Sequence, residues 1–130
     1  MYGFNVKFNG TFDEASARVT EELSKEGFGV LTEIDVKAVM KKKLDIDKRP
    51  YKILGACNPV LANKALSAEP DIGLLLPCNV VVREEEDGSV TVAFMDPQAV
   101  LQLVGRDDIG ELAGEVRERL QRVKANLQSA

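Results

Sequence analysis

Seven apolar residues near the C-terminus, Ile109, Leu112, Ala113, Val116, Leu120, Val123 and Leu127, recur at the spacing of one helix face. A stripe that long, on a helix expected from about Asp108 to Leu127, must be buried against something flat and apolar. The alternation elsewhere in the chain supplies it. Tyr2, Phe4, Val6 and Phe8 alternate with Gly3, Asn5 and Lys7 as a half-buried first strand, and Phe28, Val30 and Ile34 are in phase along a second. Tyr51, Ile53, Gly55 and Cys57 share one face of a third, and Cys78, Val80 and Val82 one face of a fourth. A fifth runs through Met95.

Helix signals punctuate these strands. Thr11 and Glu14 form a capping box ahead of Phe12, Ala15, Val19 and Leu23, and Gly27 stops that helix. Asp35 caps a shorter one through Leu44, striped by Val36, Val39, Met40 and Leu44, with Lys41, Lys42 and Lys43 in its last turn. Asn58 caps a third whose first position is Pro59, ending near Ala68 and Pro70. Ile72 to Leu76 is an apolar run that reads either as a buried connection into Pro77 or as contact surface. Asp96-Pro97 starts a short helix carrying Val100, Leu101 and Val104.

The hairpin between the last two strands can be argued to its register. A two-residue Asp87-Gly88 turn would set Val92 opposite Arg83. A three-residue loop, Glu86 to Gly88, pairs Val82 with Val92 and Val80 with Phe94 on one apolar face, with Gly88 left-handed, and sets Cys78 opposite Asp96. The expected fold is therefore α+β: an antiparallel sheet of about five strands, helices packed on one face, with short extra helices. At 130 residues it should be one domain, 1–130, whose core needs neither metal nor disulfide.

The chain has no histidine, which removes the usual general base, the Ser-His and Cys-His dyads and the commonest nitrogen metal ligand. A net charge of −4 argues against nonspecific nucleic-acid binding. No apolar run approaches the roughly 18 residues that span a bilayer. The start, Met1-Tyr2-Gly3-Phe4-Asn5, lacks the basic and apolar blocks of a signal peptide, so a cytoplasmic protein with two free thiols is expected.

The stretch Tyr51-Lys52-Ile53-Leu54-Gly55-Ala56-Cys57-Asn58-Pro59, followed by Gly73-Leu74-Leu75-Leu76-Pro77-Cys78-Asn79-Val80, resembles an uncharacterised bacterial and archaeal family, the "domain of unknown function" numbered three hundred and two. The resemblance takes in nearly the whole chain, including the block from Phe28 to Leu44 and the Asp96-Pro97 turn. It implies a β-α-β(4)-α order, similar to the TATA-binding-protein architecture, and a homodimer. It implies no reaction, and a fold analogy transfers no DNA binding.

If the third and fourth strands are antiparallel neighbours, Cys57 and Cys78 lie at one end of the sheet. The helix capped by Asn58 would then favour a thiolate at Cys57. With Asp96 beside Cys78, the candidate ligand site is Cys57, Asn58, Cys78, Asn79 and Asp96, and its metal donors are Cys57 and Cys78. Three readings stay open. Both cysteines are small core residues; or they hold a soft metal or small ligand, a third strong ligand being unassigned; or they carry redox or nucleophilic thiol chemistry, at a spacing far from Cys-x-x-Cys. The working reading is a non-enzymatic, homodimeric binding module with a small ligand or soft metal near these thiols and no assigned cofactor. A thiol-dependent enzyme using Cys57 and a purely structural protein are the alternatives.

Lys37 to Lys52 carries a net +5, which is either a docking surface for an acidic partner or a solvated helix end and loop. Gly110 and Gly114 flank the long stripe, and either a close backbone approach or a softened helix start would explain them. Glu115 with Arg119, and Glu118 with Arg122, are expected as solvent-side pairs. Glu84 to Asp87 reads as a solvated hairpin tip.

Overall fold

In a computed structural model that describes residues 1–128, five strands form one antiparallel sheet ordered β1-β5-β4-β3-β2. They are β1 (Gly3–Phe8), β2 (Gly29–Asp35), β3 (Tyr51–Cys57), β4 (Cys78–Glu84) and β5 (Val90–Met95). Two long helices, α1 (Phe12–Lys25) and α5 (Asp107–Gln128), contact each other and the sheet. Three shorter ones, α2 (Val36–Leu44), α3 (Pro59–Ala68) and α4 (Pro97–Leu101), interrupt the strand order, with 3-10 turns at Pro70–Leu75 and Gln102–Val104. The fold is α+β.

The expected capping box opens α1. The Glu14 amide donates to Thr11 Oγ1 at 3.1 Å, and the Thr11 amide donates to Glu14 Oε1 at 3.0 Å. Two orphan amides are satisfied, an arrangement worth about 1 kcal/mol. Asp35 and Asn58 cap α2 and α3 through their side chains alone, accepting from the Ala38 and Leu61 amides. The long stripe is buried as read, Ile109, Ala113, Val116, Leu120, Val123 and Leu127 all lying inside.

The β4–β5 register follows from matching apolar faces. Val82 pairs with Val92 and Val80 with Phe94. The Glu85 amide donates to the Ser89 carbonyl at 2.8 Å, which leaves a three-residue loop closed by Gly88 at φ +84°. On β3 the face turned to the core is Leu54 and Ala56, because Leu54 pairs with Val80 and Ala56 with Cys78. Tyr51, Ile53 and Cys57 take the opposite phase and are half-buried.

Strand β2 departs from its expected phase. Its register against β3 slips between Val30 and Thr32, one residue being inserted at Leu31. Side chains beyond the bulge change face, so Ile34 pairs with Ile53 and is 47% exposed. Glu33 then comes onto Lys52 at 2.7 Å. The α2 stripe likewise buries none of its residues.

The core has two parts. The larger one lies between the sheet, α1 and the rest of α5, and includes Val19, Leu23, Val80, Val92, Phe94 and Leu120. A smaller cluster of Ala65, Ile72, Leu101, Ile109 and Ala113 forms where α3, the first 3-10 turn, α4 and the start of α5 meet. Ile72 therefore belongs to the core, whereas Leu74 in the same run is exposed. A Cβ on Gly114 would come within 3.2 Å of Gln98 Nε2, which accounts for that glycine by the close approach of α4; one on Gly110 would meet nothing.

A buried carboxylate, Glu22, ties α1 to the end of α5. It accepts from Lys25 Nζ at 2.8 Å and Asn126 Nδ2 at 3.0 Å, and the lysine chiefly holds it below the usual carboxylate range. The pair Glu115–Arg119 forms at 3.2 Å. Arg122 instead reaches Glu26 at 2.8 Å, so the expected Glu118–Arg122 pair is replaced by a link between helices.

Candidate functional site

The pairing of Ala56 with Cys78 brings both cysteines to the same end of the sheet, as expected from antiparallel neighbours. There the chain passes from β3 through Cys57 and Asn58 into α3. An apolar cavity of about 310 Å³ opens at this point, and Cys57, Asn58 and Cys78 all line it. Its walls come from both core clusters: Phe28, Leu61 and Val116 from the larger, Ala65 and Leu101 from the smaller. The cavity is thus the seam between two packed regions. Leu31 and Thr32 of the β2 bulge complete the lining, and Leu31 is 68% exposed.

Both thiols are free. Cys78 is 6% exposed, and burial, reinforced by the charge Cys57 would carry, pushes its thiol up to about 11. Burial pushes the half-buried Cys57 up as well. At Cys57 this burial opposes the thiolate that the helix start was expected to favour. Pro59 has no amide hydrogen, the Leu61 amide donates to Asn58 Oδ1 at 3.2 Å, and the Ala62 amide donates to the Asn58 carbonyl at 2.8 Å. Little of the helix end is left to stabilise an anion.

Two expected members of the site lie elsewhere. Asn79 alternates with Cys78, is exposed, and lines a groove on the opposite face with Asn5, Tyr51 and Arg83. Asp96 caps α4, accepting from the Gln98 amide at 2.9 Å, and pairs with Arg117 at 3.1 Å. Its carboxylate is committed on both sides. As a metal site, Cys57 and Cys78 lack partners: among the described residues no three His, Cys, Asp or Glu side chains converge. A structural zinc would need four donors, and a catalytic one three.

The other charged features are solvated. In the basic segment Lys41 pairs with Asp45 at 2.9 Å and Lys52 with Glu33, while Lys37 donates to the Lys48 carbonyl. At the hairpin Arg83 holds Glu85 at 2.9 Å and Ser89 holds Asp87.

Sequence reasoning missed the apolar walls. Their one advance signal was the pairing of a leucine-rich α3 with the apolar run into Pro77, both more apolar than surface segments need to be.

A family model described as Domain of unknown function DUF302 matches residues 4–127. The chain belongs to the DUF302 family. The crystal structure of an uncharacterized conserved protein DUF302 from Bacillus stearothermophilus superposes with a TM-score of 0.89 at 28% identity, covering 96% of this chain and 97% of that one. An uncharacterized protein of Aquifex aeolicus (strain VF5) is 31% identical over 74 residues, 48% of this chain and 51% of its own length. The match thus spans about half of that relative. Both are uncharacterized proteins, and neither name points to an activity.

Proposed function

We propose that this DUF302 chain is a non-enzymatic binding module that takes a small apolar ligand into the seam cavity beside Cys57 and Cys78. One observation carries the reading: a cavity of about 310 Å³ whose walls are almost wholly apolar, open between two core clusters. That volume is at the lower end for small-molecule sites. A ligand seated there would gain dispersion contacts along its apolar walls.

A thiol-dependent enzyme is less well supported. It needs a depressed thiol, and burial moves both thiols upward. A thiolate-held metal is opposed by the same burial and by the missing third donor.

The reading extends to a homodimer. Leu31 and Ile34 on the edge strand β2, with Leu44 and Ile46 at the end of α2, expose apolar surface beside an unpaired strand edge. Among the described residues no helix is long and apolar enough to cross a membrane. Two free thiols suit a reducing compartment, and we place the protein in the cytoplasm on that ground.

Ala62, half-buried on the α3 wall, offers the test. Ala62→Trp should fill the cavity from its mouth and weaken Nile red uptake, read by fluorescence, at least about tenfold, with the thermal midpoint held. Undiminished uptake by the folded variant would remove the cavity from the account.

A further inference from the structure

The seam cavity has an outer and an inner end. Leu31 and Leu66 of its lining are exposed, whereas Ala56, Phe28 and Leu101 are almost fully buried. None of the lining residues carries a charged side chain. A polar group drawn to the inner end would lose its hydration and gain no partner in exchange.

The polar side chains close to the seam are engaged or turned elsewhere. Asn58 Oδ1 accepts from the Leu61 amide at 3.2 Å, and Asn58 Nδ2 lies against Gly27, where a Cβ would fall 2.9 Å from it. Thr32 Oγ1 lies over Gly55. Neither glycine is part of the lining. Arg119 Nε is buried with no hydrogen-bond partner among the described residues, but Arg119 too stands outside the lining. Its other nitrogens donate to the Glu26 carbonyl at 2.8 Å and to Glu115 at 3.2 Å. The wall itself is almost wholly hydrocarbon, joined by the soft sulfurs of Cys57 and Cys78.

Volume sets a length. An apolar space of about 150 Å³ takes one benzene ring, and the seam offers about 310 Å³. A saturated chain fills twice the benzene space with about eight to ten carbons. A ligand carried through water also needs a polar part, and the mouth between Leu31 and Leu66 is where that part keeps its hydration.

We infer that the occupant is the hydrocarbon tail of an amphiphile, about eight to ten carbons of it, inserted past Leu31 and Leu66 with its polar head left in water. The inference rests on the cavity being a ligand site. Such a site selects by tail length and is indifferent to the head group.

The test follows the methyl resonances of Ala65 and Leu101 in the wild-type protein at pH 8. The straight-chain carboxylates from hexanoate to tetradecanoate are titrated in, each below its micelle concentration. Affinity should rise about fourfold for each added methylene up to about ten carbons, and then level off. Octyl glucoside and nonanoate carry the same eight-carbon tail on a bulky neutral head and a small anionic one. They should bind within about threefold of each other. Affinity that ignores chain length, or climbs unbroken to tetradecanoate, would overturn the inference and leave the cavity a ligand site. So would a larger gap between the glucoside and nonanoate, since the head would then be reaching the wall. If no member of the series moves those methyls, the cavity reading itself falls and takes this one with it.

Discussion

Phe94→Ala should destabilise the protein by about 3–5 kcal/mol, the range for emptying a fully buried phenylalanine site. Phe94 sits on β5, pairs with Val80 across β4 and with Phe4 across β1, and stacks on the Phe4 ring at 5.4 Å. It belongs to the larger core cluster, where sheet, α1 and α5 close on one another. Truncation removes both transfer free energy and a stacked ring, and regular strands on both sides resist collapse into the space. Domains of this size are stable by about 5–15 kcal/mol, so the variant should lose a large part of its margin. Urea unfolding measures it. Leu103→Ala, at a side chain 75% exposed, should stay within about 0.5 kcal/mol. Similar losses at both positions would mean that the larger cluster is not the centre of stability.

The second large effect is alkaline. In the unfolded chain Cys78 should titrate near an ordinary thiol value, whereas in the folded protein burial pushes it up to about 11. Between those values the folded state holds a proton that the unfolded state has released, so stability falls as pH rises. The contribution is fully present below the unfolded value and is lost by the time pH passes the folded one. Across roughly two pH units it amounts to roughly 3 kcal/mol. Cys57, shifted in the same direction, adds to the decline. Tyrosines and lysines titrate in this range too, so the readout is the difference between wild type and Cys78→Ala, each unfolded in urea from pH 8 to pH 11. The wild-type slope should be steeper. Parallel slopes would mean that Cys78 is not held as a buried neutral thiol.

How far the sequence revealed the protein depended on whether a constraint was local and repeated. The β4–β5 register was legible because, of a two- and a three-residue loop, only the second puts Val80, Val82, Val92 and Phe94 on a common face. The long stripe on α5 and the caps at Thr11, Asp35 and Asn58 were legible for the same reason. The bulge at Leu31 was not, since one inserted residue leaves no mark in an apolar alternation and yet turns Ile34 outward.

The site was half legible. Strand adjacency brought Cys57 and Cys78 together, but alternation sent Asn79 to the other face, and the α4 cap claimed Asp96 before any ligand could. The helix start beside Cys57 is visible in sequence, whereas the burial that pushes its thiol the other way is not. The cavity was the least legible feature. It is a volume left between segments as far apart as Leu61 and Leu112, and no residue pattern encodes missing side-chain volume.

The most direct test of the cavity as a ligand site is a native mass spectrum of the protein purified from cells without chelator or reductant, beside the same spectrum for Ala62→Trp. Wild-type protein should appear as a dimer carrying a defined small-molecule mass, and the variant as a dimer without it. A wild-type spectrum with no added mass, or one whose added mass survives in Ala62→Trp, would contradict the assignment of function to the seam between the two core clusters.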